Sequence, residues 1–392
     1  MKSLALVTIS LILMGSCQPM KDRQKNTEIA PGAWQTDDYL PLLRGKNVAM
    51  VVNHTSTIKD THLVDSLLSI GVNIKLIFSP EHGFRGNEDA GKKIDNSIDA
   101  ATGVPIVSLY GKHRKPSPQD LEEIDVVIFD IQDVGARFYT YISTMHEVME
   151  ACAENNKPMI ILDRPNPTGD YVDGPVRDSE HQTFVGMHPI PIVHGLTVGE
   201  LAMMINGEQW LDTLQCDITI IKNKNYTHKS RYNLPISPSP NLPTDRSIRL
   251  YPSLCLFEGT SMSIGRGTDF PFQVVGFPDS TFGNFSFTPI SIPGAATHPK
   301  HEDQLCFGVD LRSNTQADVF TIKYILDFYN KTGGDESFFA NISNFDRLAG
   351  TSKLREQMIA GMTAQEIEES WQKDLDEYKI MRKKYLLYDD FD

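Results

Sequence analysis

Beyond its first residues, the sequence lacks an apolar run long enough to span a membrane, and it lacks an excess of basic residues. Its 392 residues are 40% hydrophobic and 22% charged, proportions typical of globular proteins rather than disordered or membrane-spanning ones. The formal net charge of −14 argues against a nucleic-acid partner, which would need a basic face. An anionic small substrate stays compatible with this charge, because individual arginines set the local charge of a site.

Cysteine is scarce, and motifs for metals and nucleotides are missing. The five cysteines are widely spaced without a CxxC pair, so neither a zinc site nor a compact disulfide framework is predicted. The chain has no HExxH motif. The first predicted strand ends in VNHTS at residues 52–56, where a dinucleotide site would need a glycine-rich turn. The GRG run at residues 265–267 lies outside any βαβ unit. We therefore expect no metal, no cofactor and no dehydrogenase activity.

The N-terminus has the pattern of a secretory signal. Lys2 precedes an apolar stretch at residues 4–14, which is followed by GSC at residues 15–17, a combination typical of a signal peptide and its cleavage site. Because the cysteine position resembles a bacterial lipobox, we expect cleavage before Cys17 and a lipid anchor on that residue. The alternative is an ordinary signal peptide with a coincidental cysteine. The anchor predicts a protein of the periplasm or cell surface, attached to the outer membrane.

The rest of the chain alternates between strand and helix patterns. Near-continuous apolar runs, of which residues 125–131 (DVVIFDI) are the strongest, are separated by helical periodicity. This alternation predicts an α/β fold: a Rossmann-like doubly wound parallel sheet, with a second, smaller α/β domain forming a cleft. The predicted divisions are a signal peptide at 1–16, a tether at 17–40, a Rossmann-like catalytic domain at 41–235 and a C-terminal α/β domain at 236–392.

Three further predictions concern individual segments. Prolines recur from Pro235 to Pro252, which predicts an irregular crossing between domains rather than a helix. Residues 317–330 have the pattern of a helix, and a capping box at Thr363 predicts one last long helix.

Polar side chains follow the ends of the predicted parallel strands. In chain order these ends carry Asn53-His54, Glu81-His82, Tyr110, Asp130 with Asp133 and Arg137, and Asp163-Arg164. In a doubly wound sheet such ends lie side by side along one crevice, where ligands bind. Each residue alone has a structural alternative, because a strand-end aspartate often caps a helix and a lone histidine is often only hydrogen-bonded. Their coincidence at one edge predicts an active site.

The densest cluster lies in residues 79–86 (SPEHGFRG), where an acid, an imidazole and a guanidinium fall within five residues. Pro80 ends the preceding strand, and the glycines permit a tight loop that faces a ligand. The alternative is a surface turn with incidental charges.

Several long motifs resemble the NamZ-type exo-β-N-acetylmuramidases. They are residues 79–86, 130–141 (DIQDVGARFYTY), 162–167 (LDRPNP), 193–197 (VHGLT), 239–243 (SPNLP) and 257–260 (FEGT). The resemblance implies a peptidoglycan-recycling glycosidase that releases N-acetylmuramic acid from the non-reducing end of glycan fragments such as MurNAc-GlcNAc or longer pieces. It also implies a Rossmann-like domain bearing the active site and a smaller domain closing the cleft.

Glycoside hydrolysis usually needs two carboxyl groups, one protonated and one ionised. We expect Glu81 to be the principal acid, because an apolar strand and Phe84 border it. The second group stays open among Asp130, Asp133 and Glu258. Substrate-assisted chemistry by the N-acetyl group is a further alternative.

The expected substrate contacts are polar or cationic residues of the same motifs. They are Asn53, His82, Arg85, Arg137, Tyr139, Asp163, Arg164, His194, Asn241 and Arg266. Reading the lactyl carboxylate of muramic acid requires a cation, and we expect Arg85 or Arg266 to supply it. Arg137 is less suited if Asp130 and Asp133 hold it. The alternative is that Arg85 and Arg266 only pair with Glu88 and Asp269.

Two other functions stay open at this point. One is a non-catalytic peptidoglycan-binding lipoprotein, in which Glu81 merely bonds sugar. The other is a metal-dependent hydrolase that uses His54, His82, Asp130 and His194, although their spacing matches no metal motif.

Overall fold

The computed structural model describes residues 28–80, 84–85, 97–111, 113–313 and 318–391. The predictions for Cys17, Glu81, His82 and Glu88 therefore lie outside the described residues. Within these ranges, none of the helices has the length and apolarity needed to cross a bilayer.

The first part of the chain forms a seven-stranded sheet, a two-stranded hairpin and the helices that cover the sheet. The strands are β1 (Asn47–Val52), β2 (Thr57–Ile58), β3 (Thr61–His62), β4 (Asn73–Ser79), β5 (Ser97–Ile98), β6 (Pro105–Ser108), β7 (Val126–Asp130), β8 (Met159–Leu162) and β9 (Ile218–Ile221). The helices are α1 (Thr36–Leu43), α2 (Leu63–Ser69), α3 (Pro118–Leu121), α4 (Tyr141–Glu154) and α5 (Val198–Gly207). The large sheet has the order β5-β6-β4-β1-β7-β8-β9. All neighbours in it pair in parallel except β5 with β6.

The two faces of this sheet are buried in two separate apolar cores. In β1, Val48 and Met50 belong to the core covered by α1 and α2, whereas Ala49 and Val51 belong to the core that contains α4 and α5. Because side chains alternate along a strand, a continuous apolar run supplies both cores. The prediction of a doubly wound parallel sheet is confirmed.

The strand order places a topological switch at the middle of the sheet. From β1 the chain builds outward through β4 and β6, and then returns to β7 on the other side of β1. The carboxyl ends of β1 and β7 therefore flank the crevice where open α/β sheets bind ligands.

The second part of the chain is smaller and mixes helices with a short antiparallel sheet. Its strands are β10 (Val274–Phe277), β11 (Phe285–Phe287) and β12 (Cys306–Asp310), in the order β10-β12-β11. Its helices are α6 (Asp245–Leu254), α7 (Lys323–Lys331), α8 (Ile342–Ala349), α9 (Lys353–Ile359), α10 (Ala364–Ser370) and α11 (Gln372–Lys383). A 3-10 helix, Cys255–Gly259, continues directly from α6.

The structure corrects three local predictions in this part. The proline-rich segment is not irregular throughout, because Thr244 and Ser247 form a capping box that starts α6, and burial of its residues 247–254 outweighs the bond lost at Pro252. The predicted helix at 317–330 begins only at Lys323. The last long helix is two helices, α10 and α11, which are separated at Trp371.

The end of α11 and the residues after it pack back onto the first part. Tyr378 and Arg382 donate hydrogen bonds to the carbonyl oxygens of His194 and Gly195, at 2.6 and 2.9 Å. Tyr388 donates to Asp163 at the end of β8, at 2.6 Å. Residues from the two parts of the chain thus share one continuous core.

Candidate active site

The carboxyl ends of β1 and β7 are joined by a buried polar chain. Asn53 Oδ1 accepts from the backbone N–H of Thr55 at 2.9 Å and from its hydroxyl at 2.6 Å. The Thr55 hydroxyl in turn accepts from the backbone N–H of Gln132 at 3.1 Å. Asn53 is fully buried, and its Nδ2 has no hydrogen-bond partner among the described residues. His54 turns toward another segment, with Nε2 lying 2.9 Å from the carbonyl oxygen of Ser237.

Asp130 and Arg164 form a buried two-bond ion pair. Arg164 Nε and Nη2 donate to the two carboxylate oxygens of Asp130 at 2.6 and 2.8 Å. Asp130 is 0% exposed and Arg164 is 5% exposed. Both carboxylate oxygens are engaged, and the pair joins β7 to the second residue after β8.

Asp133 keeps one free carboxylate oxygen within the described part of the chain. Its Oδ2 accepts from the backbone N–H of Gly135 at 2.7 Å and lies 3.5 Å from Nε2 of His194, whereas its Oδ1 has no partner there. The other ring nitrogen of His194, Nδ1, accepts from the N–H of Leu196. That bond places the imidazole proton on Nε2, facing Asp133.

Asp163 has a structural role, because both of its carboxylate oxygens are hydrogen-bonded within the protein. Its Oδ1 accepts from the N–H of Gly199 in the first turn of α5 at 2.8 Å, and Oδ2 accepts from the Tyr388 hydroxyl. Burial raises the pKa of Asp163 to about 6. This matches the alternative reading of a strand-end aspartate that caps a helix.

The prediction that Asp130 and Asp133 hold Arg137 in place is wrong. Its guanidinium is fully buried and donates to the carbonyl oxygens of Pro175, Ile190, Leu348 and Ala349 at 2.7–2.9 Å, not to Asp130 or Asp133. Two of these carbonyls belong to α8 in the second part of the chain. With both terminal nitrogens bonded to backbone carbonyls and no exposed surface, Arg137 joins the two parts of the chain and cannot contact a sugar in this conformation.

The guanidinium of Arg85 is also engaged, in ion pairs with two acids. It donates to both carboxylate oxygens of Asp99 at 2.9 Å and to those of Asp65 at 3.2 and 3.3 Å. The Arg85 guanidinium holds the pKa of Asp99 down at about 2. Arg85 thus pairs with acids, and among the described residues these acids are ones that the sequence did not suggest.

Four of the predicted residues line one pocket between the two parts of the chain. The pocket has a volume of about 300 Å³ and contains Tyr139, Asn241, Glu258 and Arg266. Its other walls include Phe138, Tyr141, Tyr251, Cys255, Phe272, Asn344 and Leu348. Aromatic faces with a few polar groups are typical of sites for small ligands.

Glu258 and Arg266 form the charged wall of this pocket. Arg266 Nε donates to Glu258 Oε1 at 2.6 Å, and both side chains are partly exposed, at 32% and 25%. The guanidinium lies 4.9 Å from the centre of the Phe272 ring. The alternative partner of Arg266, Asp269, is exposed and is not the one it uses. Among the described residues, the Nη groups of Arg266 make no hydrogen bond, so they are available to an anion.

Asn241 and Tyr139 also line the pocket. Asn241 Nδ2 donates to the carbonyl oxygen of Ala295 at 2.8 Å, and its Oδ1 has no partner among the described residues. The Tyr139 hydroxyl donates to the carbonyl oxygen of Pro238 at 2.8 Å. The segment that contains Ser237 and Pro238 thus contacts both His54 and Tyr139, which links the sheet edge to the pocket.

Apart from Tyr139, the aromatic residues of the pocket were not among the predicted contacts, and neither was Asn344. Tyr251 lies on α6, in the stretch expected to be irregular, and Asn344 lies on α8, for which no motif was found. Phe272 lies five residues after the GRG run, and this closeness in sequence to Arg266 was the one available signal. Across the described residues, no group of three or more His, Cys, Asp or Glu side chains is arranged to hold a metal ion.

Comparison with known proteins assigns most of the chain to one family. The N-terminal model of the family described as exo-β-N-acetylmuramidase NamZ matches residues 48–246, and the C-terminal model matches residues 249–388. The chain is 40% identical over 377 residues to the peptidoglycan β-N-acetylmuramidase NamZ of Bacillus subtilis (strain 168), covering 90% of this chain and 89% of that protein.

Two crystal structures of DUF1343 family proteins from Bacteroides fragilis NCTC 9343 share the fold. One has a TM-score of 0.86 at 48% identity and covers 93% of this chain and 99% of its own. The other has a TM-score of 0.80 at 30% identity and covers 92% of this chain and 99% of its own. The chain therefore belongs to the exo-β-N-acetylmuramidase NamZ family.

Proposed function

We propose that this protein is an exo-β-N-acetylmuramidase, a glycoside hydrolase that releases N-acetylmuramic acid from the non-reducing end of peptidoglycan fragments. The relative from Bacillus subtilis is a peptidoglycan β-N-acetylmuramidase, and its similarity extends over both parts of this chain. The observation that carries the proposal is the pocket of about 300 Å³ that combines aromatic walls with a carboxylate and an arginine. These groups match an anionic N-acetyl sugar.

Glu81 stays our proposal for the principal acid, on the sequence argument alone. For the second carboxyl group, the surroundings of the three candidates differ. Glu258 lines the pocket and is partly exposed there, so its carboxyl group can reach a bound sugar or a water molecule beside it. Asp133 is nearly buried but keeps Oδ1 free of described partners. Both carboxylate oxygens of Asp130 accept hydrogen bonds from Arg164. We therefore rank Glu258 first, Asp133 second and Asp130 last.

The test of the function is incubation with MurNAc-GlcNAc and mass analysis of the products. Free MurNAc and GlcNAc are the expected products, and recovery of intact disaccharide bound to the protein would instead support a glycan-binding lipoprotein. Glu81→Gln should lower turnover on the order of a thousandfold or more while sugar affinity is retained. A variant that keeps a tenth of wild-type turnover would move the acid to another residue.

The second group is tested by Glu258→Gln and Asp130→Asn, which keep the size of each side chain. If Glu258 acts in the pocket, its variant loses turnover with an unchanged free energy of unfolding. The Asp130 variant should instead lose stability, because it leaves the buried Arg164 cation with a neutral partner. The reverse result would overturn the ranking.

We also propose that the mature protein is lipid-anchored through Cys17 and acts in the periplasm or at the cell surface. The support is the sequence pattern at residues 1–17, which lies outside the described residues. Cys17→Ser should abolish acyl labelling and release the protein from membranes. Unchanged fractionation with membranes would refute the anchor.

A further inference from the structure

Residues 288–304 lie between β11 and β12 in the chain and contact residues that line the pocket. We call them the bracing segment. The segment is closed on itself, because the N–H of Asp303 donates to the carbonyl oxygen of Pro289 at 2.8 Å. Ile292 and Ala296 also exchange two backbone bonds, at 2.9 and 2.8 Å. None of its residues lines the pocket, so any effect on the pocket is indirect.

The strongest contact of the bracing segment is made by Lys300. Its ammonium donates to the carbonyl oxygens of Phe257, Glu258 and Thr260 at 3.0, 3.0 and 2.6 Å. An ammonium has three donors, so all three are used on one short stretch of backbone. That stretch is the end of the 3-10 helix Cys255–Gly259 together with Thr260, and a cation beside the C-terminal carbonyls of a helix is favourable.

Two further contacts reach the other walls of the pocket. The carbonyl oxygen of Ala295 accepts from Asn241 Nδ2 at 2.8 Å. The backbone N–H of Ile290 donates to the carbonyl oxygen of Gly267 at 2.9 Å. Gly267 has a φ of +81°, and a Cβ there would lie 2.7 Å from Cγ of Pro299, so the segment packs directly on the residue after Arg266.

We propose that Lys300 is a positioning residue for the sugar pocket, which acts by holding Glu258 in register with Arg266. The 2.6 Å bond between these two side chains joins residues from separate stretches, 255–260 and 265–268. The bracing segment holds both stretches, the first through Lys300 and the second through Ile290. The inference rests on the proposed function, because Glu258 and Arg266 matter to catalysis only if this pocket binds the sugar.

The primary test is Lys300→Met, which keeps the length of the side chain but removes the cation and its three bonds. We measure kcat and KM on chromogenic MurNAc and GlcNAc substrates, together with the free energy of unfolding. A displaced Glu258–Arg266 pair should raise KM for the MurNAc substrate and lower the MurNAc-over-GlcNAc ratio of kcat/KM, each on the order of tenfold. A purely structural loss would only reduce the folded fraction and lower both rates equally.

The matched control is Lys331→Met. Lys331 also donates to a backbone carbonyl, that of Phe282 at 2.6 Å, but it does not contact the pocket-lining stretches. We expect its KM and sugar preference to equal those of the wild type. Lys300→Gln, which keeps two N–H donors, should lie between the wild type and Lys300→Met, and it serves as the test variant if Lys300→Met does not fold.

Chemical rescue separates the cation from the packing. Lys300→Ala with added n-propylammonium, which matches the atoms removed, should regain part of its MurNAc preference, whereas n-butane should give none. If the wild type hydrolyses the MurNAc substrate and the Lys300 variants keep its KM and preference, the positioning role is refuted. If the wild type does not hydrolyse it, the proposed function fails first, independently of Lys300.

Discussion

Arg266 is the residue for which the structure yields the sharpest prediction. MurNAc differs from GlcNAc by a lactyl ether that carries a carboxylate. Arg266 is a cation that lines the pocket, and among the described residues only its Nε donates a hydrogen bond, to Glu258. Its Nη groups can therefore bind the lactyl carboxylate. We predict that Arg266→Ala removes most of the preference for MurNAc over GlcNAc.

The expected loss follows from the type of contact. A charge-assisted hydrogen-bonded contact that becomes unpaired in a partly buried site costs roughly 2–4 kcal/mol of discrimination. At about 1.4 kcal/mol per factor of ten, this is roughly a 30- to 700-fold fall in the MurNAc-over-GlcNAc ratio of kcat/KM. The unpaired Glu258 would add repulsion toward the lactyl carboxylate. Arg266→Lys keeps the charge without the planar fork, so its ratio should fall between the two.

The assay compares chromogenic MurNAc and GlcNAc substrates, because the ratio cancels any loss that affects both sugars. Arg85→Ala is the matched control, since Asp65 and Asp99 already occupy its guanidinium. We expect that variant to keep the wild-type ratio, because every nitrogen of the Arg85 guanidinium already donates to one of these two acids. An unchanged ratio in Arg266→Ala, or a collapsed ratio in Arg85→Ala alone, would refute the assignment.

Two further predictions concern stability. Arg137→Met should lower the free energy of unfolding by about 3–5 kcal/mol in denaturant titrations, because it leaves four buried carbonyl groups without their donor; a loss below that of the exposed-pair control Arg312→Met would contradict it. For Asp163 the folded pKa of about 6 lies above its ordinary 3.8, so the folded state binds the extra proton between these values. The stability of the wild type relative to Asp163→Asn should therefore fall as pH rises from about 4 to about 6, by up to on the order of 3 kcal/mol, and a pH-independent difference would contradict the raised pKa.

Local patterns were enough to predict most of the first sheet. The run at residues 125–131 predicted β7, and the capping box at Thr363 predicted the start of α10. These features depend on residues within one strand or one helical turn, where spacing alone decides the structure. The convergence of strand ends also placed Asn53, Asp130 and Arg164 in one connected polar cluster.

Long-range partners were beyond the sequence. Arg137 donates to the carbonyl oxygens of Leu348 and Ala349, which lie 211 and 212 residues later in the chain. No rule based on sequence spacing could have predicted these partners in place of Asp130 and Asp133. The prolines predicted an irregular segment where α6 is found. That prediction failed because burial of the helix outweighs the one backbone hydrogen bond that Pro252 cannot make. The pocket likewise depends on helices from both parts of the chain, which pattern analysis cannot dock against each other.

The return of α11 and residues 385–391 onto the first sheet has a consequence for biosynthesis. The Tyr388 hydroxyl donates to Asp163, and the N–H of Leu387 donates to Glu200, so two carboxylates buried in the first part each gain a hydrogen bond from a residue that is synthesised 225 or 187 positions later. A chain interrupted before Tyr378 would leave Asp163, Glu200 and the His194 carbonyl without these donors, and it would expose the apolar surface around them to proteases. The first part of the chain therefore reaches its full stability only after the C-terminal residues have been synthesised.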